Sequence, residues 1–343
     1  MKILFCGTPL FAVPSLEKLL RSGHPVAGVV TQPDRPRGRC QTPQPPPVKE
    51  VALSKSLPLF QPARLSDPGF LSSIEKLGAE IVAVVAYGRL LPKEFLALFK
   101  HGAVNLHASL LPKYRGAAPI QWAIIRGETE TGVTLFELDE QMDHGPVILQ
   151  RKTPIKPDED AAGLAARLSG IGAAALIETL DLIETGMTSP VPQEDKEATH
   201  APLLTKEDGV IRWDLPAAEI RNRIRGMQPW PGAATMAGEK SVKILAATAD
   251  PEPFEHGVPE HGVPGTRSVP GTDASDPFGL SLSKSEQPPG PGTVLLADAA
   301  QGLFVQTGKG VLRIDRLQPS GGNPMTAAEF LRGHPLPPSS TLH

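Results

Sequence analysis

Asn105 and His107 stand two residues apart at the end of an apolar run that begins at Ala103. In an extended strand such residues point to one side, so an amide and an imidazole would enter the same cleft together. The pair suits acyl transfer: an amide donor can stabilise a carbonyl oxygen as it becomes an oxyanion, and an imidazole can handle the proton that an attacking amine must lose. Neither task requires a metal ion, and no metal site is expected. A carboxylate beside the ring would orient it and favour its charged form. The stretch Leu138-Asp139-Glu140-Gln141-Met142-Asp143-His144-Gly145 offers Asp143, which precedes a glycine and a new apolar run, from where a loop could reach the cleft. Singly, each residue has an ordinary reading: Asn or His at a strand end satisfies loop backbone groups, and Asp forms turns.

Convergence of the three needs a scaffold, and the first half of the chain has the pattern of one. Short apolar runs at residues 2–6, 26–31, 81–86, 103–105, 131–137 and 146–150 alternate with helical patterns at 11–21, 92–98 and 117–125. Such alternation predicts an open, doubly wound α/β domain with a mostly parallel sheet, which binds ligands at the carboxyl ends of its strands. Asn105 and His107 fall at such an end. Only Gly7-Thr8-Pro9 follows the first run, not Gly-x-Gly-x-x-Gly, so a dinucleotide site is unsupported. From Asp158 an amphipathic helix runs to Gly186 and closes a first domain of residues 1–189, with a polar, proline-containing linker at 190–202.

A second domain, residues 203–343, has strand-like runs at 209–213, 242–246, 303–306 and 311–317, with a short helix at 217–225. Several short strands with glycine turns predict a small, partly open, OB-like β-barrel. Residues 250–291 change character to proline, glycine, serine and acid, and the pentapeptide 255–259 recurs unchanged at 260–264. Such a tract cannot bury enough apolar surface to offset its ordering entropy and is expected to be a disordered insertion.

Composition bounds the partners. The chain has 343 residues, enough for two cores, and its uninterrupted apolar runs, such as residues 81–86, fall far short of a bilayer span. No signal peptide is recognisable, which points to a cytoplasmic protein with no membrane association; Cys6 and Cys40 are too few for a disulfide framework. The net charge of −3 argues against a generally basic nucleic-acid binder, yet charge is uneven. Arg35, Arg37, Arg39 and Lys49 stand against Asp34 in a proline-rich arm suited to phosphates or an unpaired nucleic-acid end. Residues 204–343 without the insertion carry 11 Lys+Arg against 8 Asp+Glu, whereas the insertion carries 2 against 7.

The order Asn105-x-His107-x-Ser109-Leu110-Leu111-Pro112-x-x-Arg115-Gly116, followed by Leu138-Asp139-x-x-Met142-Asp143, resembles the formyltransferase family that uses 10-formyltetrahydrofolate. The resemblance implies a formyltransferase-type, Rossmann-like first domain and a catalytic trio of Asn105, His107 and Asp143. It also implies a folate pocket lined by Val85, Ala86, Tyr87, Gly88, Leu90 and Pro92, by Ser109, Leu110, Leu111 and Pro112, and by Leu138, Asp139, Gln141 and Met142. Gly7-Thr8-Pro9, Thr31-Gln32-Pro33-Asp34-Arg35-Pro36, Pro47-Val48-Lys49 and Pro229-Trp230-Pro231 are similar to the branch of that family acting on initiator methionyl-tRNA. That branch implies a second domain that binds tRNA, an acceptor stem met by Arg39 and its neighbours, and a monomer. Leu10, Gln141, His144 and Pro146 depart from the family pattern, the last three within the pterin loop. Two other readings stay open: a formyltransferase for an aminated nucleotide sugar, and an RNA-binding module without chemistry, which the trio disfavours.

Overall fold

A computed structural model of the chain describes residues 1–37, 42–250, 289–337 and 339–343. These divide into two compact units, Met1–Val210 with Asn222–Ala233, and Ile211–Arg221 with Ala234–His343. In chain order the first unit contains β1 (Ile3–Gly7), α1 (Val13–Leu19), β2 (Val26–Val30), β3 (Arg35–Arg37), β4 (Thr42–Gln44), α2 (Pro47–Ser54), β5 (Leu59–Phe60), α3 (Pro68–Glu75) and β6 (Ile81–Val85). It continues through α4 (Lys93–Leu96), β7 (Ala103–His107), α5 (Pro119–Ile125), β8 (Glu130–Glu137), β9 (Val147–Pro154) and α6 (Ala161–Glu184).

Seven strands form one sheet in the order β5-β2-β1-β6-β7-β8-β9. It is parallel from β5 to β7 and antiparallel where β8 and β9 join, which agrees with the mostly parallel sheet expected. Period-two alternation explains why β1 can be buried throughout. Ile3 and Phe5 enter one core with Leu16, Leu164 and Leu168, while Leu4 and Cys6 enter a second with Phe70, Ile74 and Phe95. Asp160 caps α6 by accepting from the Gly163 amide, and the helix buries Leu164, Leu168, Leu176 and Leu180 completely, each worth about 1.5–3 kcal/mol. By length and composition alone this helix could span a bilayer; its buried stripe makes it the core helix of the unit.

Three expectations are corrected. The arm carrying Arg35 is a two-stranded hairpin of β3 and β4, and the stretch after it opens α2, with Pro47 at the first helical turn where its missing N–H costs nothing. Residues 209–213 make no strand: Ile211 and Trp213 are buried as their alternation predicts, but of the five only Val210 makes an isolated bridge, after a 3-10 turn at Glu207–Gly209. Residues 190–202 lie along the first unit, where Val191 pairs with Val147, and His200 with Arg115.

The chain continues as α7 (Ala217–Gly226), β10 (Ala233–Ala237), β11 (Lys240–Asp250), β12 (Val294–Asp298), β13 (Gly302–Gln306), β14 (Val311–Pro319), β15 (Met325–Thr326) and α8 (Ala327–Gly333). In the second unit the antiparallel order is β10-β11-β14-β13-β12, with β15 added to β14. The expected hairpin around Gly308 is present as β13 and β14. The two edge strands are joined by one extended segment: Leu342 bridges Ala237 at the end of β10, and Thr341 bridges Thr293 before β12. The sheet thereby closes on itself, as a barrel must to hide its edges. Of the insertion expected at 250–291, residues 251–288 lie outside the described residues; Asp250 completes β11.

Candidate active site

The sheet places its switch point between β1 and β6, where chain connections leave in opposite directions, and a cavity of about 760 Å³ opens there at the carboxyl ends of the strands. Asn105, His107 and Asp143 all line it. On β7, Val104 and Leu106 turn into the core beneath α6, so Asn105 and His107 share the other face. The amide of Asn105 makes no hydrogen bond to another described residue, which leaves its donors free for a guest.

His107 is nearly buried, and its Nε2 donates to the Tyr114 carbonyl at 2.9 Å. With Nε2 protonated, Nδ1 is the nitrogen left to exchange a proton. It faces Asp143 Oδ1 at 3.7 Å, too long for a hydrogen bond. The ring is therefore oriented by a backbone carbonyl, where the sequence suggested a carboxylate. Asp143 is held by its other oxygen, which accepts the Gly116 amide at 2.8 Å.

Strain gathers around this pocket. Ala86, Tyr114 and Asp143 have φ of 47°, 64° and 52°, in the left-handed region that side chains avoid. Gly145 lets the Asp143 loop turn back over β8, since a Cβ there would stand 1.9 Å from the Glu137 oxygen. The departures from the family pattern in this loop are accommodated. His144 Nδ1 pairs with Asp139 at 2.7 Å, the Asp139 carboxylate also accepts the Gln141 amide, and Pro146 supplies a carbonyl to the Glu137 amide.

Of the residues expected to line a folate pocket, Ala86, Tyr87, Gly88, Leu90, Leu138, Asp139, Gln141 and Met142 border the cavity. Val85, Pro92, Ser109, Leu110, Leu111 and Pro112 do not. Val85 is turned into the core. The Ser109 hydroxyl donates to the Lys113 carbonyl, and the Leu111 amide donates to Thr134, so this stretch braces the turn that carries Tyr114. Sequence reasoning missed Phe11, Gln121 and Ala165, which also line the cavity. Phe11 and Ala165 come from elements far apart in the chain, and no local pattern announces their meeting. Burial pushes the Tyr87 phenol up to about 12 and raises the Cys6 thiol, so neither is an ionised nucleophile at neutral pH.

Among the basic residues, Arg35 is exposed on β3, Arg37 ends that strand, and Arg39 lies outside the described residues. Lys49 is not free for phosphate: it donates to both oxygens of Asp34 at 2.8 Å. Gln61 also donates to that carboxylate, and these bonds, Gln61 first, hold Asp34 below the usual carboxylate range. One group of metal-ligand types, His24 with Asp181 and Glu184, occurs among the described residues. Asp181 is sixteen residues along α6 from Ala165, roughly 24 Å from the cavity at 1.5 Å per residue.

Residues 1–180 match the model of the formyl transferase family, and residues 203–335 that of its C-terminal domain. The chain is 43% identical to the methionyl-tRNA formyltransferase of Trichlorobacter lovleyi, over 98% of this chain and 95% of that one. It belongs to the methionyl-tRNA formyltransferase family. The family's protein in Pelotomaculum thermopropionicum is 42% identical over all of this chain and 98% of its own. Among solved structures, the N-formyltransferase of Helicobacter canadensis in complex with folinic acid and dTDP-3-aminofucose shares the fold, with a TM-score of 0.60 at 17% identity, covering 92% of this chain and 98% of that one. In this family member, then, Asn105, His107 and Asp143, the trio that the resemblance implied, stand around one cavity.

Proposed function

We infer that the protein transfers the formyl group of 10-formyltetrahydrofolate to the α-amino group of methionine on initiator methionyl-tRNA, giving N-formylmethionyl-tRNA for translation initiation in the cytoplasm. The observation that carries this reading is the juxtaposition of an unpaired amide, a carbonyl-anchored imidazole and a nearly buried carboxylate in one cavity, in a chain similar over its whole length to methionyl-tRNA formyltransferases. The cavity suits a flat, amphipathic donor: apolar side chains such as Leu90, Leu138 and Met142 alternate with backbone groups and Asp139. The donor supplies the formyl carbon. As the amine attacks it, Asn105 donates to the developing oxyanion, and His107 Nδ1, 3.7 Å from Asp143, takes up the proton that the amine loses. The new carbon–nitrogen bond replaces the donor's, and the proton returns to the departing tetrahydrofolate nitrogen. No metal is required.

Arg35, Arg37 and Arg39 would meet the acceptor end of the tRNA, with Lys49 fixing the hairpin through Asp34, and the mildly basic second domain would follow the phosphate backbone. The protein would act as a monomer. Asn105→Ala, His107→Ala and Asp143→Ala should each lower turnover about 100- to 1,000-fold in a fold that melts normally. Formyl transfer is to be measured on charged initiator tRNA beside an aminated nucleotide sugar. Activity confined to the sugar, or any of the three variants within about threefold of wild type, would overturn the assignment it tests.

A further inference from the structure

Gln193 lies in the segment after α6, outside the residues matched by either family model. Its side-chain nitrogen donates to the carbonyl of Asp143 at 2.9 Å and to that of Gly145 at 2.8 Å. Its oxygen accepts from Arg115, from Nε at 3.1 Å and from one terminal nitrogen at 2.9 Å. All four hydrogen-bonding positions of the amide are filled, and the partners fix which end is which, because carbonyls only accept and a guanidinium only donates. Arg115 is itself nearly buried and is further held by Asp195 at 2.9 Å.

The bonds join two loops that must agree with each other. Arg115 sits between Tyr114, whose carbonyl orients His107, and Gly116, whose amide holds Asp143. Residues 199–201 add three backbone bonds to this turn: Arg115 donates to Thr199, Ala201 to Arg115, and Ala118 to Ala201. The Tyr114 amide also donates to the Thr199 hydroxyl. Gly116 passes so close to this segment that a Cβ would stand 2.6 Å from the Ala201 oxygen.

We propose that the segment 193–201 is a strap for the active site and that Gln193 is a positioning residue, setting the His107–Asp143 distance by tying the Asp143 loop to the turn that anchors His107. This rests on the reading of the trio as catalytic. Gln193 touches no reacting atom; it acts through Asp143. Gln193→Glu is the sharpest probe, since it keeps an acceptor for Arg115 but sets an anion against two carbonyl oxygens; Gln193→Leu removes both halves.

Each should lower kcat for methionyl-tRNA formylation about 10- to 100-fold, the scale of a misplacement of about 1 Å, while KM for the formyl donor stays within threefold. In an Asp143→Ala background the same changes should cost less than about threefold, because the group they position is gone. Without any substrate, amide exchange at residues 142–145 should accelerate in both variants. Equal losses with and without Asp143, or kcat within threefold of wild type, would overturn the proposal. Wild-type turnover on methionyl-tRNA is the separate control: if the wild type formylates only another amine, the functional reading fails and the Gln193 ratios are measured on that amine.

Discussion

Asp143 combines three demands at one position: a left-handed backbone, an acceptor for the Gly116 amide and a negative charge near His107. Asn tolerates the same backbone region and offers the same acceptor, so Asp143→Asn should leave the melting temperature close to wild type and still lose formyl transfer. An active Asn variant would show that shape, not charge, is what the reaction uses. The two tyrosines of the chain give a second test, because both phenols are raised by burial, and Tyr114 further by its bond to Glu128. A folded value above the unfolded one, about 10, means a stability contribution fully present below pH 10 and lost as pH climbs through the folded values. Absorbance near 295 nm should therefore stay flat in the native protein past pH 10 and rise only with alkaline unfolding. A phenolate signal below pH 10 in folded protein would contradict the burial of both rings.

At the scale of elements, close approaches decide where substitutions are tolerated. A Cβ on Gly172 of α6 would stand 2.6 Å from Leu106, the residue between Asn105 and His107 on β7. Gly172→Val should push β7 and cost both stability and turnover, by about 1–3 kcal/mol of overpacking on the stability side. Gly145→Ala should be more selective, displacing the Asp143 loop and reducing turnover more than melting temperature. If Gly145→Ala is as active as wild type, the loop has slack that the 1.9 Å approach denies. Strands were the most legible elements in the sequence, because β1, β6 and β7 are short apolar runs bounded by turn residues. The pair Asn105 and His107 was legible for the same reason, by alternation on β7. The anchor of His107 was not, since a backbone carbonyl carries no residue type to read. The braces Ser109 and Leu111 were taken for pocket lining because their motif is contiguous with His107, although the chain turns away after Ala108. The strap was hidden by composition: a polar, proline-containing stretch reads as a linker whether it hangs in water or lies on a surface.

For the molecule as a whole, the register of the second unit constrains the tract expected to be an insertion. Asp250 pairs with Val311, Val311 with Gln306, and the Gln306 amide donates to Thr293, so the strand ends flanking the tract lie in one row, three strands apart. At about 4.8 Å per strand that row spans roughly 14 Å, so the ends are not adjacent and a two-residue turn could not join them. Replacing residues 251–288 with about eight Gly/Ser residues should preserve the melting temperature, and loop-closure entropy should change by only about 1–2 kcal/mol. Because the tract adds negative charge, formylation of tRNA should be unchanged or slightly faster at low salt. A large loss of stability or of formylation would mean that these residues pack on the protein or its partner.

The strap also bears on how such proteins can be recombined. The two family models stop at residue 180 and resume at 203, and a chimaera built from two relatives would naturally cross over in the unmatched interval. A crossover just after α6 would give the loops of one parent the Gln193 and Thr199 of the other, and so exchange the fastening of Asp143 and Tyr114 without altering any residue that lines the cavity. Inheritance of the active site therefore runs at least to Ala201, and seams placed beyond it should yield working hybrids where earlier seams yield folded but slow ones.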